Sequence, residues 1–265
     1  MSPEIKKNQH WAIYTVRLTT EQPLHIGAFQ DPMSDIHGPF TTLGGKPVVQ
    51  GSSLKGAARA KLEEYLILNY AAQPAMKPCI PASANNLSED ERALARGQNG
   101  KYRGPNCEYR SAGLGQKDKT ASLCPACYFY GTMGLVGFVQ MPYLYLTGDI
   151  EIEEIYQNRR DRGTDTVAHA ANRTLQGIPK GAVFEGEMRV LLSDTIRGWE
   201  LGKMRPLQGR GYADEWLRGN TKSRNDLIQE FVLERVKDIK RIGGQISKGF
   251  GNVSIQVTFK EEVWV

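Results

Sequence analysis

Lys46-Pro47-Val48-Val49-Gln50-Gly51-Ser52-Ser53-Leu54-Lys55-Gly56-Ala57-Ala58-Arg59 joins a strand signal to a helix signal. The apolar run Pro47 to Val49 enters a Gly-Ser-Ser turn, and a helix is expected from about Leu54 to Asn69. Gly51 permits a backbone turn that a residue with a Cβ resists. Ser52 or Ser53 suits the N-cap, where a hydroxyl accepts from a first-turn N–H. The free N–H groups and the helix dipole favour an anion there. Lys55 and Arg59 are four apart and share the face beside that end. Together these features describe a phosphate seat. They equally describe a plain capped helix with two solvated charges, so the rest of the chain has to decide.

Outward from this stretch, His10 to Thr20 alternates and is rich in β-branched and aromatic residues, which predicts a first strand. Its Ala12, Tyr14, Val16 and Leu18 face reads as core. After the helix, Leu135 to Ile152 and Gly181 to Leu192 read as strands. A second helix follows, capped by Ser223 or Asn225, with Leu227, Ile228, Phe231, Val232, Val236 and Ile239 at helical spacing. Asn252 to Phe259 alternates as the last strand. The order predicts an α+β fold with a ferredoxin-like, RRM-like βαββαβ core and large insertions.

The chain has 265 residues and a net charge of +5, which permits a nucleic-acid partner without demonstrating one. No apolar run is long enough for a transmembrane helix. Met1 to His10 has no apolar stretch of the secretory kind, so a cytoplasmic protein is expected. All four cysteines lie in an insertion over about 71–133. Cys124-Pro125-Ala126-Cys127 is a CxxC knuckle, and Cys79 and Cys107 precede it. This set suits a structural tetrahedral Zn²⁺ site with no open position for water. Disulfides, a redox pair or unrelated cysteines are the competing readings. His37 is an alternative to Cys79 as a ligand.

Ile242-Gly243-Gly244-Gln245-Ile246-Ser247-Lys248-Gly249-Phe250-Gly251 links the second helix to the last strand. Its glycines let backbone N–H groups approach a phosphate, Lys248 adds charge, and Phe250 is placed to stack on a base. A Gly-rich helix-to-strand turn is the bland alternative. The loop over 28–45 carries Asp31, Asp35 and His37, and its length suggests function or mobility. Arg159, Arg160, Arg162 and Arg173 form one basic group, and Arg205, Arg210, Arg218, Lys222 and Arg224 another. Either contacts RNA or is a solvated charged surface.

Three pieces occur in one order: Leu24-His25-Ile26-Gly27, Gly51-Ser52-Ser53-Leu54-Lys55-Gly56, and the glycine loop. With Cys124-Pro125-Ala126-Cys127-Tyr128-Phe129-Tyr130-Gly131 they resemble the RAMP superfamily of CRISPR-associated proteins. More closely, they resemble the backbone subunit of type III effector complexes. Asp161-Arg162-Gly163-Thr164 and Gly177-Ile178-Pro179-Lys180-Gly181 are similar to the two halves of that family's thumb hairpin. Gln50, Ala28 and Gln176 depart from the family's usual Pro, Gly and Glu.

The resemblance implies a single RAMP domain. Its palm would span about 8–70, 134–150, 181–192 and 223–262, with the zinc-binding insertion at about 71–133 and the thumb at about 151–180. It implies CRISPR RNA, target RNA and other effector subunits, including further RAMP subunits, as partners, and no membrane. Guide contacts would fall on His25, Ser52, Ser53, Lys55, Arg59, Arg160, Arg162, Arg173, Gly243, Gly244, Lys248, Gly249 and Phe250. The family's cleaving aspartate lies sixteen residues before the glycine of its GSSLKG motif, which is Asp35 here, with Asp31 the second choice. Such an endoribonuclease uses Mg²⁺ or Mn²⁺, and His37 is a possible acid or base. A loop aspartate in an Asx-turn is the bland alternative for Asp35. For His25 it is a structural strand-end histidine. A backbone RAMP that only binds, and a metal-independent guide-processing RAMP, are the competing functions.

Overall fold

The computed structural model describes residues 7–28, 33–79, 88, 90, 102, 107, 123–132, 134–160, 163–164, 167–207 and 211–265. Asp31, Arg162 and Arg210 lie outside them. Arg159 and Arg160 lie in a described strand, with side chains outside the description.

The protein is a mixed α+β structure on an antiparallel sheet. β1 (Gln9–Thr20) is one of its interior strands. β13 (Val253–Trp264) pairs with one edge of β1 and β9 (Val183–Asp194) with the other. The order continues from β9 to β6 (Leu144–Thr147), β4 (Lys46–Val49) and β3 (Thr42–Leu43). β5 (Val139–Gln140) and β10 (Trp199–Glu200) also pair with β9.

The expected strand over 135–152 is broken into β5 and β6. Pro142 lies between them and offers no N–H to the ladder. The expected core face of β1 is buried, but Trp11 and Ile13 are buried too. The first half of that strand is therefore covered on both sides.

α1 spans Gly51–Asn69 and buries Leu54, Ala58, Leu62 and Leu66 in one stripe. Each such leucine contributes about 1.5–3 kcal/mol by leaving water. Leu68, off that stripe, is exposed. The second long helix runs through Arg224–Ile228, a π-helical turn Gln229–Leu233, and Glu234–Lys237. Ser223 caps it in a capping box with Asp226: Asp226 N–H donates to Ser223 Oγ at 3.2 Å and Ser223 N–H to Asp226 Oδ2 at 3.1 Å. All six apolar residues of its expected stripe are buried.

β7 (Glu153–Arg160) and β8 (Val167–Gly177) form an antiparallel hairpin. β2 (Ile36–Gly38) adds to β8 in parallel. The segment carrying Asp35 is thus attached to the hairpin rather than hanging as an open loop.

The described members of the second basic group are each near an acidic partner. Arg205 is fully buried and grips Asp214 with two donors, at 2.8 and 2.9 Å. Its guanidinium also lies over Tyr128 and Trp199. Arg218 pairs with Glu215, Lys222 with Glu230, and Arg224 approaches Glu262. Breaking a buried pair leaves an uncompensated charge. Asp214→Asn should therefore lower unfolding stability by about 3–5 kcal/mol in a denaturant titration. Unchanged stability would contradict the pairing.

Candidate functional site

α1 begins two or three residues earlier than the serines suggest. Gln50 is the N-cap, no side chain caps the first turn, and Ser52 and Ser53 lie inside it. The expectation of a serine cap is corrected. Gly51 has a different use from the one expected. A Cβ there would lie 2.7 Å from the Met141 carbonyl oxygen and 2.8 Å from that of Pro142. The helix start abuts the backbone at Met141 and Pro142, and only glycine fits.

A cleft of about 460 Å³ opens in front of this turn. Ser52, Ser53, Gly56, Gly243, Gly244 and Arg241 line it. The helix N-terminus and the glycine loop thus face one space, with Arg241 as the charged lining residue. Arg241 was missed in the sequence, although it stands two residues before the glycine pair. Its Nε donates to Asn252 Oδ1 at 3.0 Å.

The glycine loop is held against the segment that follows β1. Gly244 N–H donates to the His25 carbonyl oxygen at 2.8 Å. Gly243 has φ +89, and a Cβ on it would sit 2.3 Å from that oxygen. The His25 ring is buried, and its Nδ1 lies 2.7 Å from the Gln176 carbonyl oxygen. A carbonyl only accepts, so Nδ1 carries the proton. The structural alternative for His25 describes this environment. Gln176 also accepts the Phe40 N–H on its side-chain oxygen at 3.1 Å, tying the hairpin base to both ends of the 26–40 segment.

Lys248 Nζ donates to Gln157 Oε1 of β7 at 2.8 Å. Gln157 faces Arg173 across the hairpin, and Arg173 is exposed. Lys248 and Arg173 therefore belong to one basic surface. Phe250 is corrected. It is buried, and Gly177 at the hairpin base lies beside its ring, so the ring is not offered to a base. An exposed aromatic was missed: Tyr156 stands out from β7. Gly249 is in the left-handed region, at φ +86, and ends a short 3₁₀ turn over Ile246–Lys248.

Asp35 is exposed immediately before β2. His37 is exposed within β2, and its Nδ1 accepts the Thr174 N–H at 3.3 Å. This places His37 on the hairpin and away from the cysteines, which form a complete set without it.

Cys79, Cys107, Cys124 and Cys127 are buried and unbridged, and their sulfurs lie within 4.8 Å of one another. Zn–S bonds of about 2.3 Å place tetrahedral sulfurs about 3.8 Å apart, so the cluster could hold a metal such as zinc. The Cys124 N–H donates to Cys107 Sγ at 3.4 Å. Burial pushes the Cys124 thiol up. Hydrogen bonds from Cys107, Cys124 and Cys79, then the Arg59 guanidinium, hold Cys127 well below the ordinary thiol range.

Lys55 and Arg59 face a second, larger cleft of about 1150 Å³, which Arg197 and Trp11 also line. Burial and then the Arg59 charge lower the Lys55 ammonium's pKa. Arg59 is not an open phosphate ligand. It donates to Glu63 Oε1 at 2.9 Å, to the Gly131 carbonyl oxygen at 2.9 Å, and to the sulfurs of Cys127 and Cys79.

A family model for the RAMP superfamily matches residues 17–254. The chain belongs to the RAMP superfamily. The match covers α1, the cysteine set, the hairpin and the glycine loop of this RAMP protein. It supports an RNA-binding, CRISPR-associated role. No curated protein matches the chain. Among the described residues, no helix is long and apolar enough to cross a membrane.

The glycines give a paired test. Gly243→Ala forces a Cβ into both a positive φ and the His25 carbonyl, and should cost about 1–3 kcal/mol of stability. Gly56→Ala meets nothing within 4 Å inside α1 and should gain about 0.4–1 kcal/mol. Thermal or denaturant unfolding of the two variants checks both signs.

Proposed function

We propose that this RAMP protein is a guide-binding backbone subunit of a type III CRISPR effector complex, acting in the cytoplasm with guide RNA, target RNA and further RAMP subunits. One observation carries the reading: the uncapped start of α1 and the Gly243–Gly244 loop line the same cleft. Backbone N–H groups from both suit a phosphate, and Lys55 stands one turn along the helix. In this reading the sheet is a ferredoxin-like palm. The strand order β13-β1-β9-β6, with a helix after β1 and another after β9, supports it. The β7–β8 hairpin is the thumb, and Arg160, Arg162 and Arg173 are its phosphate contacts. The cysteine insertion is a zinc-stapled module.

We further propose that Asp35 cuts target RNA. Its attachment to the hairpin through β2 would hold it beside a duplex distorted by the thumb. In such cleavage a deprotonated 2′-oxygen attacks the adjacent phosphorus, the bond to the 5′-oxygen breaks, and that oxygen takes up a proton. Asp35 would orient or deprotonate the hydroxyl, and His37 Nε2 is the nearby proton carrier on β2. A Mg²⁺ or Mn²⁺ ion would supply charge stabilisation, drawing its remaining oxygens from RNA and water. The binding-only reading draws on a specific observation. Among the described residues the cysteines are the one group with metal-ligand spacing, and Asp35 brings a single exposed carboxylate.

Asp35→Ala in the assembled complex should abolish cutting of a guide-matched RNA while leaving guide binding intact. Undiminished cutting at every site would remove the assignment, and absence of cutting by the unaltered complex in Mg²⁺ or Mn²⁺ would favour binding only. Lys55→Ala should weaken guide binding and reduce the slope of log affinity against log salt by about 1.

A further inference from the structure

The arginine of the Gly51–Arg59 stretch has a use that the guide seat does not require. We infer that Arg59 is the outer-sphere clamp of the cysteine metal centre, and that it fastens α1 to that centre. The inference rests on the cluster being a metal site. Four contacts carry it. Arg59 Nη2 lies 3.2 Å from Cys127 Sγ and 3.6 Å from Cys79 Sγ, so one nitrogen bridges a sulfur of the knuckle and a sulfur that reaches the cluster from outside it. Those two sulfurs are 3.5 Å apart. Nη1 donates to the Gly131 carbonyl oxygen at 2.9 Å, just past the short helix α2 (Pro125–Tyr130). Nε is held by Glu63 at 2.9 Å, and the Glu63 carboxylate is itself buried.

The charges agree with this use. Four thiolates around Zn²⁺ leave a net charge of about −2, too much to bury without nearby donors. A guanidinium is the side chain that can offer donors to two sulfurs, a carbonyl and a carboxylate at once, because its donors lie in one rigid plane. Glu63 sits one turn further along α1 and fixes that plane. The thiolates are thereby oriented and partly neutralised from the helix that begins at the guide seat. Lysine would keep the charge and lose the fork.

The test uses full-length protein with Co²⁺ or Zn²⁺ alone. The unaltered chain should take up one ion. Arg59→Ala and Arg59→Lys should hold it about 10–100-fold more weakly in competition with a chromophoric chelator. Loss of the donors should also move the sulfur-to-cobalt charge-transfer band to longer wavelength. Lys55→Ala should leave affinity and band unchanged, and circular dichroism confirms that each variant is folded. Equal metal affinity with an unmoved band in folded Arg59→Lys would overturn the inference, as would weakened guide binding with metal affinity intact. A folded, unaltered chain that takes up no ion would overturn the metal reading itself, and the inference with it.

Discussion

The contact on which the site depends is a backbone approach without side chains. The Gly243–Gly244 turn lies against the His25 carbonyl, closer than any Cβ allows. Through that one residue three distant parts of the chain meet. The His25 carbonyl holds the glycine loop, and its ring holds the hairpin through Gln176. Gln176 in turn holds Phe40, at the far end of the segment that carries Asp35. A histidine buried under glycines is therefore better understood as a fastening than as a surface ligand. Its effect on RNA would pass through the loop that it positions.

α1 serves two neighbours from its first three turns. Its N-terminal N–H groups and serines face the glycine loop, where an anion is favoured. Arg59, two turns on, faces the cysteine cluster. The helix is also pinned from behind, since Gly51 rests on the Met141 and Pro142 carbonyls. A helix fixed at its start and at Arg59 can present its dipole to a phosphate without reorganising when RNA arrives. That is the physical advantage of building a binding site on rigid elements rather than on a mobile loop.

Much of the framework was legible because it depends on local pattern. The second helix, with its Ser223 capping box and six buried apolar residues, could be read residue by residue. The cysteine cluster was legible from one knuckle and confinement to one insertion. What escaped was decided by tertiary contact. Arg205 and Arg218 look alike in sequence, yet one is entombed with Asp214 and the other is at the surface with Glu215. Arg59 and Lys55 share a helix face, but only Arg59 reaches the sulfurs. Ser52 and Ser53 resemble caps, while the helix starts at Gly51, where only a glycine fits against the Met141 and Pro142 carbonyls. The parallel pairing of β2 with β8 has no local signature, because three residues beside a long hairpin carry no period of their own.

The central claim is that RNA sits where the start of α1 meets the glycine loop. Amide hydrogen exchange, with and without guide RNA on the assembled subunits, tests it most directly. Binding should slow exchange at Gly51 to Leu54 and from Gly243 to Gly249 together. Protection confined to other surfaces, with both of these segments exchanging as fast as before, would contradict the claim.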